Sequence, residues 1–123
     1  AGHSSDEMYQ FLKDLEKRDL FTLSRSTGIF TLNRLEEKLK DFIPISDYSE
    51  LNIPCYTCIT DINDGDYHYI NSGDPIPYTI ASSTITPLFE AKKIDDKLYI
   101  DGGFSDNLPV KPLKKYSEKN LAI

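Results

Sequence analysis

Residues 98–107 read LYIDGGFSDN. Leu98, Tyr99 and Ile100 have the β-branched and aromatic character of a strand, Asp101 follows, and two glycines open a short polar loop. A strand that ends in an acid holds that carboxylate rigidly at the edge of a sheet. At least one of Gly102 and Gly103 is expected to adopt positive φ, so that the chain turns away without a Cβ clash and leaves space beside Asp101 for another side chain.

Working outward, EAKKIDDKLYID (90–101) reads as a hairpin turning at Asp95-Asp96. The run 53–62, IPCYTCITDI, is the best strand in the chain, introduced by Pro54 at its edge. Asn63-Asp64-Gly65-Asp66 supplies turn residues and YHYIN returns, so 53–71 is a second hairpin. Pro75 and Pro77 start a short helix over 77–83, and Pro87 closes that region. Nearer the start, Ser4-x-x-Glu7 is a capping box, and Met8, Phe11, Leu12 and Leu15 repeat as one helical face over 5–18. Asn33-x-x-Glu36 caps a second helix with Leu35, Leu39 and Phe42 as its stripe, ended by Pro44. Gly28 permits a tight bend between them. A last helix is expected over 110–119, and Leu121-Ala122-Ile123 begins a strand.

The chain has 123 residues, 39% hydrophobic and 28% charged, which predicts one soluble domain of modest size or a segment of a larger one. Neither a membrane-spanning helix nor a signal peptide is expected from its short apolar runs. A net charge of −6 is the wrong sign for counterion release on phosphate backbones, so nucleic acid is not expected as a partner. Lys92-Lys93 and the group Lys111, Lys114, Lys115 are the two basic clusters that could touch an anionic surface, although such clusters are ordinarily a solvated face.

Cys55 and Cys58 form a C-x-x-C, yet their flanks alternate like a strand. At the rise of a strand their Cα atoms stand ~10 Å apart, beyond the ~7 Å reach of a disulfide. Two structural thiols are expected. No second pair or suitable histidine spacing supports zinc.

Taken in order, Thr60-Asp61, Ser72-Gly73-Asp74, Ala81-Ser82, Pro87-Leu88-Phe89, Asp101-Gly102-Gly103 and Asn107-Leu108-Pro109 resemble the patatin-like phospholipase family. AGHSSDEM at the start resembles the segment that follows the nucleophile helix in that family. The resemblance implies an α/β fold, with residues 1–123 forming the C-terminal part of a three-layer α/β/α domain with a central sheet and β-hairpins. It also implies a lipid acyl-ester hydrolase working through a Ser-Asp dyad on a lipid or phospholipid ester, with no metal or organic cofactor. Peripheral membrane contact and self-association of the segment are further expectations, in a cytoplasmic or membrane-peripheral setting.

Within the family pattern Asp101 carries over as the catalytic acid/base, with Gly102, Gly103 and Asn107 as supporting loop residues. The Gly-x-Ser-x-Gly elbow and the glycine-rich oxyanion loop are not in these residues, so no nucleophile is assigned. Ser82, Ser83 and Ser105 lack the elbow context. Asp and Gly are also the commonest turn residues, and out of context Asp-Gly-Gly is an ordinary turn. The alternative function is accordingly an interaction module that keeps the scaffold without the nucleophile. Asp106 and Asn107 are expected to shape the loop by local hydrogen bonds. Asp61 and Asp74 read as turn or capping acids, His68 as an edge or solvent-facing histidine, and Leu88 and Phe89 as acyl-pocket or core residues.

Overall fold

The computed structural model describes residues 2–26, 28–117 and 119. The helices are α1 (Ser5–Asp14), α2 (Lys17–Leu20), α3 (Asn33–Phe42) and α4 (Pro75–Ser82). The strands are β1 (Thr22–Leu23), β2 (Phe30–Thr31), β3 (Thr57–Asp61), β4 (Tyr67–Ile70), β5 (Lys92–Ile94) and β6 (Lys97–Asp101). The chain is thus a mixed α/β structure that fits part of an α/β domain.

The main sheet runs β4-β3-β6-β5, with every neighbouring pair antiparallel. Both expected hairpins form, and they join through β3 and β6, where Ile59 stands opposite Asp101 and Thr60 opposite Ile100. Strand β3 is buried from Cys58 to Asp61, which suits its β-branched composition at the centre of the sheet. Helix α4 lies on β3 and β6 and contributes Ile76, Ile80 and Ala81 to a core shared with Ile59 and Ile100. This packing fixes the tip of β6 against the end of α4.

Several elements are shorter than expected, each for a local reason. The strand begins at Thr57 rather than residue 53: Pro54 offers no N–H to a ladder, and pairing starts where Thr57 meets Ile70. The helix expected over 5–18 stops at Asp14, because Leu15 is extended (φ −71°, ψ 124°) and Glu16 caps a new turn with Asp19. The Ser4–Glu7 capping box forms as read. Helix α1 is docked by rings, with Phe42 at the end of α3 stacked between His3 and Phe11 at 4.1 and 4.4 Å. Asn33 is the first residue of α3 and no cap; Glu36 is buried and binds Lys92 of β5 and Lys40, tying the helix to the sheet. Helix α4 starts two residues earlier than expected, with Asp74 Oδ1 accepting from the N–H of Ile76 at 2.9 Å, so Asp74 is a capping acid as read.

The helix expected over 110–119 is a 3₁₀ segment, Lys111–Lys115, with Pro112 in its first turn. The strand expected at 121–123 lies outside the described residues. Gly28 is needed for close approach: a Cβ there would stand 2.2 Å from the backbone nitrogen of Glu90, where the chain around Phe30 bonds to residues 87–90. Among the described residues no helix is long and apolar enough to cross a membrane.

Candidate functional site

Strand β6 delivers Asp101 to its C-terminal end, as its sequence implies. The backbone N–H of Asp101 donates to the carbonyl of Thr84, just beyond α4, at 3.1 Å, and Thr60 Oγ1 donates to the Asp101 carbonyl at 3.1 Å. The residue is therefore clamped from the helix side and from the central strand. Its carboxylate is half-buried and lines a shallow depression of about 280 Å³ with Ile85, Gly103, Phe104 and Asn107.

The glycines work differently from expectation. Neither Gly102 nor Gly103 has positive φ, a conformation found at Gly2, Gly65 and Gly73. Gly102 is required by proximity, since a Cβ there would lie 2.5 Å from the carbonyl carbon, carbonyl oxygen and Sγ of Cys58. Gly102–Phe104 form a single 3₁₀ turn capped by Asp101, whose Oδ1 accepts from the N–H of Gly103 at 2.8 Å. The carboxylate thus caps this turn, with the N–H of Gly103 as its donor. Among the described residues Oδ2 has no protein hydrogen bond or ion pair.

The supporting loop is tied to the sheet by long-range bonds. Asp106 accepts from the Tyr69 hydroxyl of β4 and lies 3.7 Å from Lys111, so it anchors the loop across the hairpin in addition to the local backbone hydrogen bond from Leu108. The Tyr69 hydroxyl hydrogen bond holds the Asp106 carboxyl below its ordinary range, while burial, then Asp106, pushes Tyr69 up. Asn107 faces the depression beside Gly103. Ser105 Oγ donates to the Gly65 carbonyl at 2.8 Å and Ser83 Oγ to the Thr79 carbonyl at 2.9 Å, so both hydroxyl protons are held by backbone.

Other sequence-derived positions lie apart from this depression. Asp61 is more than a turn acid: it is buried, accepts from the Asn63 backbone at 2.9 Å and meets Lys97 Nζ at 2.8 Å. The Lys97 ammonium, followed by the Asn63 N–H, lowers its pKa. His68 sits on the edge strand as read but is not solvent-facing; its ring meets Tyr99 edge-on at 6.3 Å, and Nε2 is buried without a hydrogen-bond partner among the described residues. Ligand atoms of Asp61, Asp64 and His68 come within 4.8 Å of one another, a grouping the sequence reading missed because the turn that gathers them looked purely structural. Lys97 already supplies the countercharge there. Phe89 belongs to an aromatic cluster with Phe21, and Leu88 is exposed. Both cysteines are free, Cys58 buried in β3 and Cys55 exposed ahead of it.

No curated protein matches the chain. The family model described as patatin-like phospholipase matches residues 1–114, which include the clamped Asp101 and its glycine turn, and the chain belongs to that family of lipid hydrolases.

Proposed function

We propose that Asp101 is the acid/base of a Ser-Asp dyad in a lipid acyl-ester hydrolase, with the serine supplied by a Gly-x-Ser-x-Gly segment outside these residues. The observation that carries this reading is the state of the carboxylate: Oδ1 is fixed by the Gly103 N–H while Oδ2 has no partner among the described residues at the rim of a depression. One oxygen orients and the other is available for a proton.

In the reaction, Asp101 takes the serine hydroxyl proton as Oγ attacks the ester carbonyl, forming the Oγ–C bond. Collapse of the tetrahedral adduct breaks the bond to the alcohol, which leaves with that proton. Water then repeats the sequence on the acyl-enzyme, giving its proton to Asp101 and releasing the fatty acid and the serine hydroxyl. No histidine is needed as relay.

The test is hydrolysis of p-nitrophenyl and phospholipid esters by a protein that joins the nucleophile segment to this chain. Asp101→Asn is expected to lower kcat by about a thousandfold or more with little change in melting temperature, because the amide keeps the shape and loses the base. Retained activity in Asp101→Asn would reduce the motif to a turn and favour a non-catalytic module. Residues 1–123 alone are expected to be inactive, for want of a nucleophile elbow.

A further inference from the structure

We propose that Phe104–Tyr116, together with the rim of the Asp101 depression, is a docking face for a bilayer with anionic headgroups. This rests on the hydrolase reading above and adds how the substrate is presented: as a charged membrane surface.

The segment reads FSDNLPVKPLKKY, with three lysines against one aspartate in a chain of net charge −6. That aspartate, Asp106, is engaged by the Tyr69 hydroxyl and offset by Lys111, and with Asp101 at the rim the positive excess of the face comes from Lys114 and Lys115. A protein acidic overall is repelled by an anionic bilayer, so a basic face determines which side approaches. The apolar side chains beside those lysines are left in water: Phe104 is 59% exposed, Leu108 56% and Tyr116 56%.

The lysines also have an interfacial geometry. Lys111 Nζ lies 4.4 Å from the Tyr67 ring centre, and Lys115 Nζ lies 5.0 Å from both Tyr56 and Tyr116. The Tyr56 and Tyr116 hydroxyls are 3.1 Å apart, so Lys115, Tyr56 and Tyr116 form one group at the entry to β3, and Lys111 with Tyr67 forms a second on β4. Ammonium groups held over tyrosine faces at the surface match the headgroup zone of a bilayer, where tyrosine and lysine are favoured. Phe104 lines the Asp101 depression, so its insertion at the headgroup boundary would bring the carboxylate to the depth of the acyl esters.

The experiment is co-sedimentation of the chain with phosphatidylcholine vesicles, with and without phosphatidylserine, at low and high salt. Binding is expected only with phosphatidylserine and should fall as salt rises. Lys111→Glu/Lys114→Glu/Lys115→Glu should reduce it by at least about tenfold, and Phe104→Ser/Leu108→Ser should weaken it as well. Lys13→Glu/Lys17→Glu changes charge near α1 and α2 and should leave binding unchanged. If the triple variant fails to fold by circular dichroism, Lys114→Glu/Lys115→Glu takes its place.

Equal binding to both vesicle types, or equal loss in the α1–α2 control, would overturn the proposal. Because the readout needs no turnover, Asp101→Asn should bind vesicles like the parent chain. Absent vesicle binding alongside Asp101-dependent hydrolysis removes the docking face and leaves the dyad, whereas vesicle binding alongside full activity of Asp101→Asn removes the dyad and leaves the docking face.

Discussion

Gly102 lies so close to Cys58 that a Cβ on the glycine would stand 2.5 Å from the Cys58 carbonyl and Sγ. This contact joins the turn after β6 to the centre of β3. It makes the second residue of Asp-Gly-Gly a packing requirement, and the third a different matter: a Cβ on Gly103 would meet side chains, the Asp101 carboxylate at 3.1 Å and Asn107 Oδ1 at 3.6 Å.

Substituting the two glycines should therefore separate stability from site geometry. Gly102→Ala must push the turn after β6 away from the backbone of β3, and an overpacking cost of about 1–3 kcal/mol is expected in urea denaturation. Gly103→Ala keeps an allowed φ and should stay within about 1 kcal/mol of the parent. If Asp101 is the acid/base, the effect of Gly103→Ala should fall on the activity of the protein that joins the nucleophile segment to this chain, because the carboxylate has to shift by a few tenths of an ångström. Equal stability of the two variants would contradict the contact.

The cysteines offer a simpler check. Cys55 is exposed, whereas Cys58 is buried, and burial together with Asp106 and Asp101 raises the Cys58 thiol above its ordinary pKa. Reaction with Ellman's reagent at neutral pH should give one fast thiol in the native chain and a second only on unfolding. Cys55→Ser should abolish the fast phase. Two fast thiols would mean that β3 is not the central strand.

The hairpins, the capped helices and the place of Asp101 were legible in the sequence because each depends on neighbours within a few residues: Asp74 before its helix, Asn63 to Asp66 in the turn, Ile100 before Asp101. What escaped was long-range. Nothing in local spacing announces that Glu36 reaches Lys92, that Asp61 reaches Lys97, or that Asp106 reaches Tyr69, since each pair depends on which strands become neighbours. The glycine error has the same source. A Gly-Gly after a strand suggests positive φ, and only the assembled sheet reveals that Cys58 occupies the space.

The Glu36 pair should be visible as a pH effect. Burial pushes the Glu36 carboxyl up, but hydrogen bonds from Lys92 and Lys40 outweigh it, so the folded pKa lies below the ordinary 4.5. A depressed carboxyl contributes stability above its unfolded pKa and loses it as pH falls through the folded one. Lys92→Met leaves Lys40 at 3.0 Å as the remaining partner. The expected cost at pH 7 is about 1 kcal/mol, at the low end for a buried charge that loses a donor. The gap between variant and parent should close as pH drops below 4.5, where protonated Glu36 no longer needs the ammonium. A pH-independent difference would mean that Lys92 acts through its alkyl packing instead.

Self-association is the expected outcome of what the described residues leave uncovered. Helix α1 buries none of its residues, and Tyr9, Leu12, Leu23 and Ile53 are 62%, 58%, 73% and 77% exposed. Strand β4 pairs with β3 on one side and is an outer strand of the sheet on the other. Apolar surface of this kind and an outer strand both invite a second copy of the chain. Light scattering should show the mean mass rising with concentration. If the apolar surface drives association, Leu12→Lys/Leu23→Lys should return the chain toward monomer, and cooling should weaken it, because hydrophobic association fades at low temperature. If the outer strand drives it, that variant should associate like the parent and cooling should have little effect. A strictly monomeric mass at the highest attainable concentration would exclude both routes and mean that the exposed side chains of α1 and the β1 region are tolerated in water as they stand.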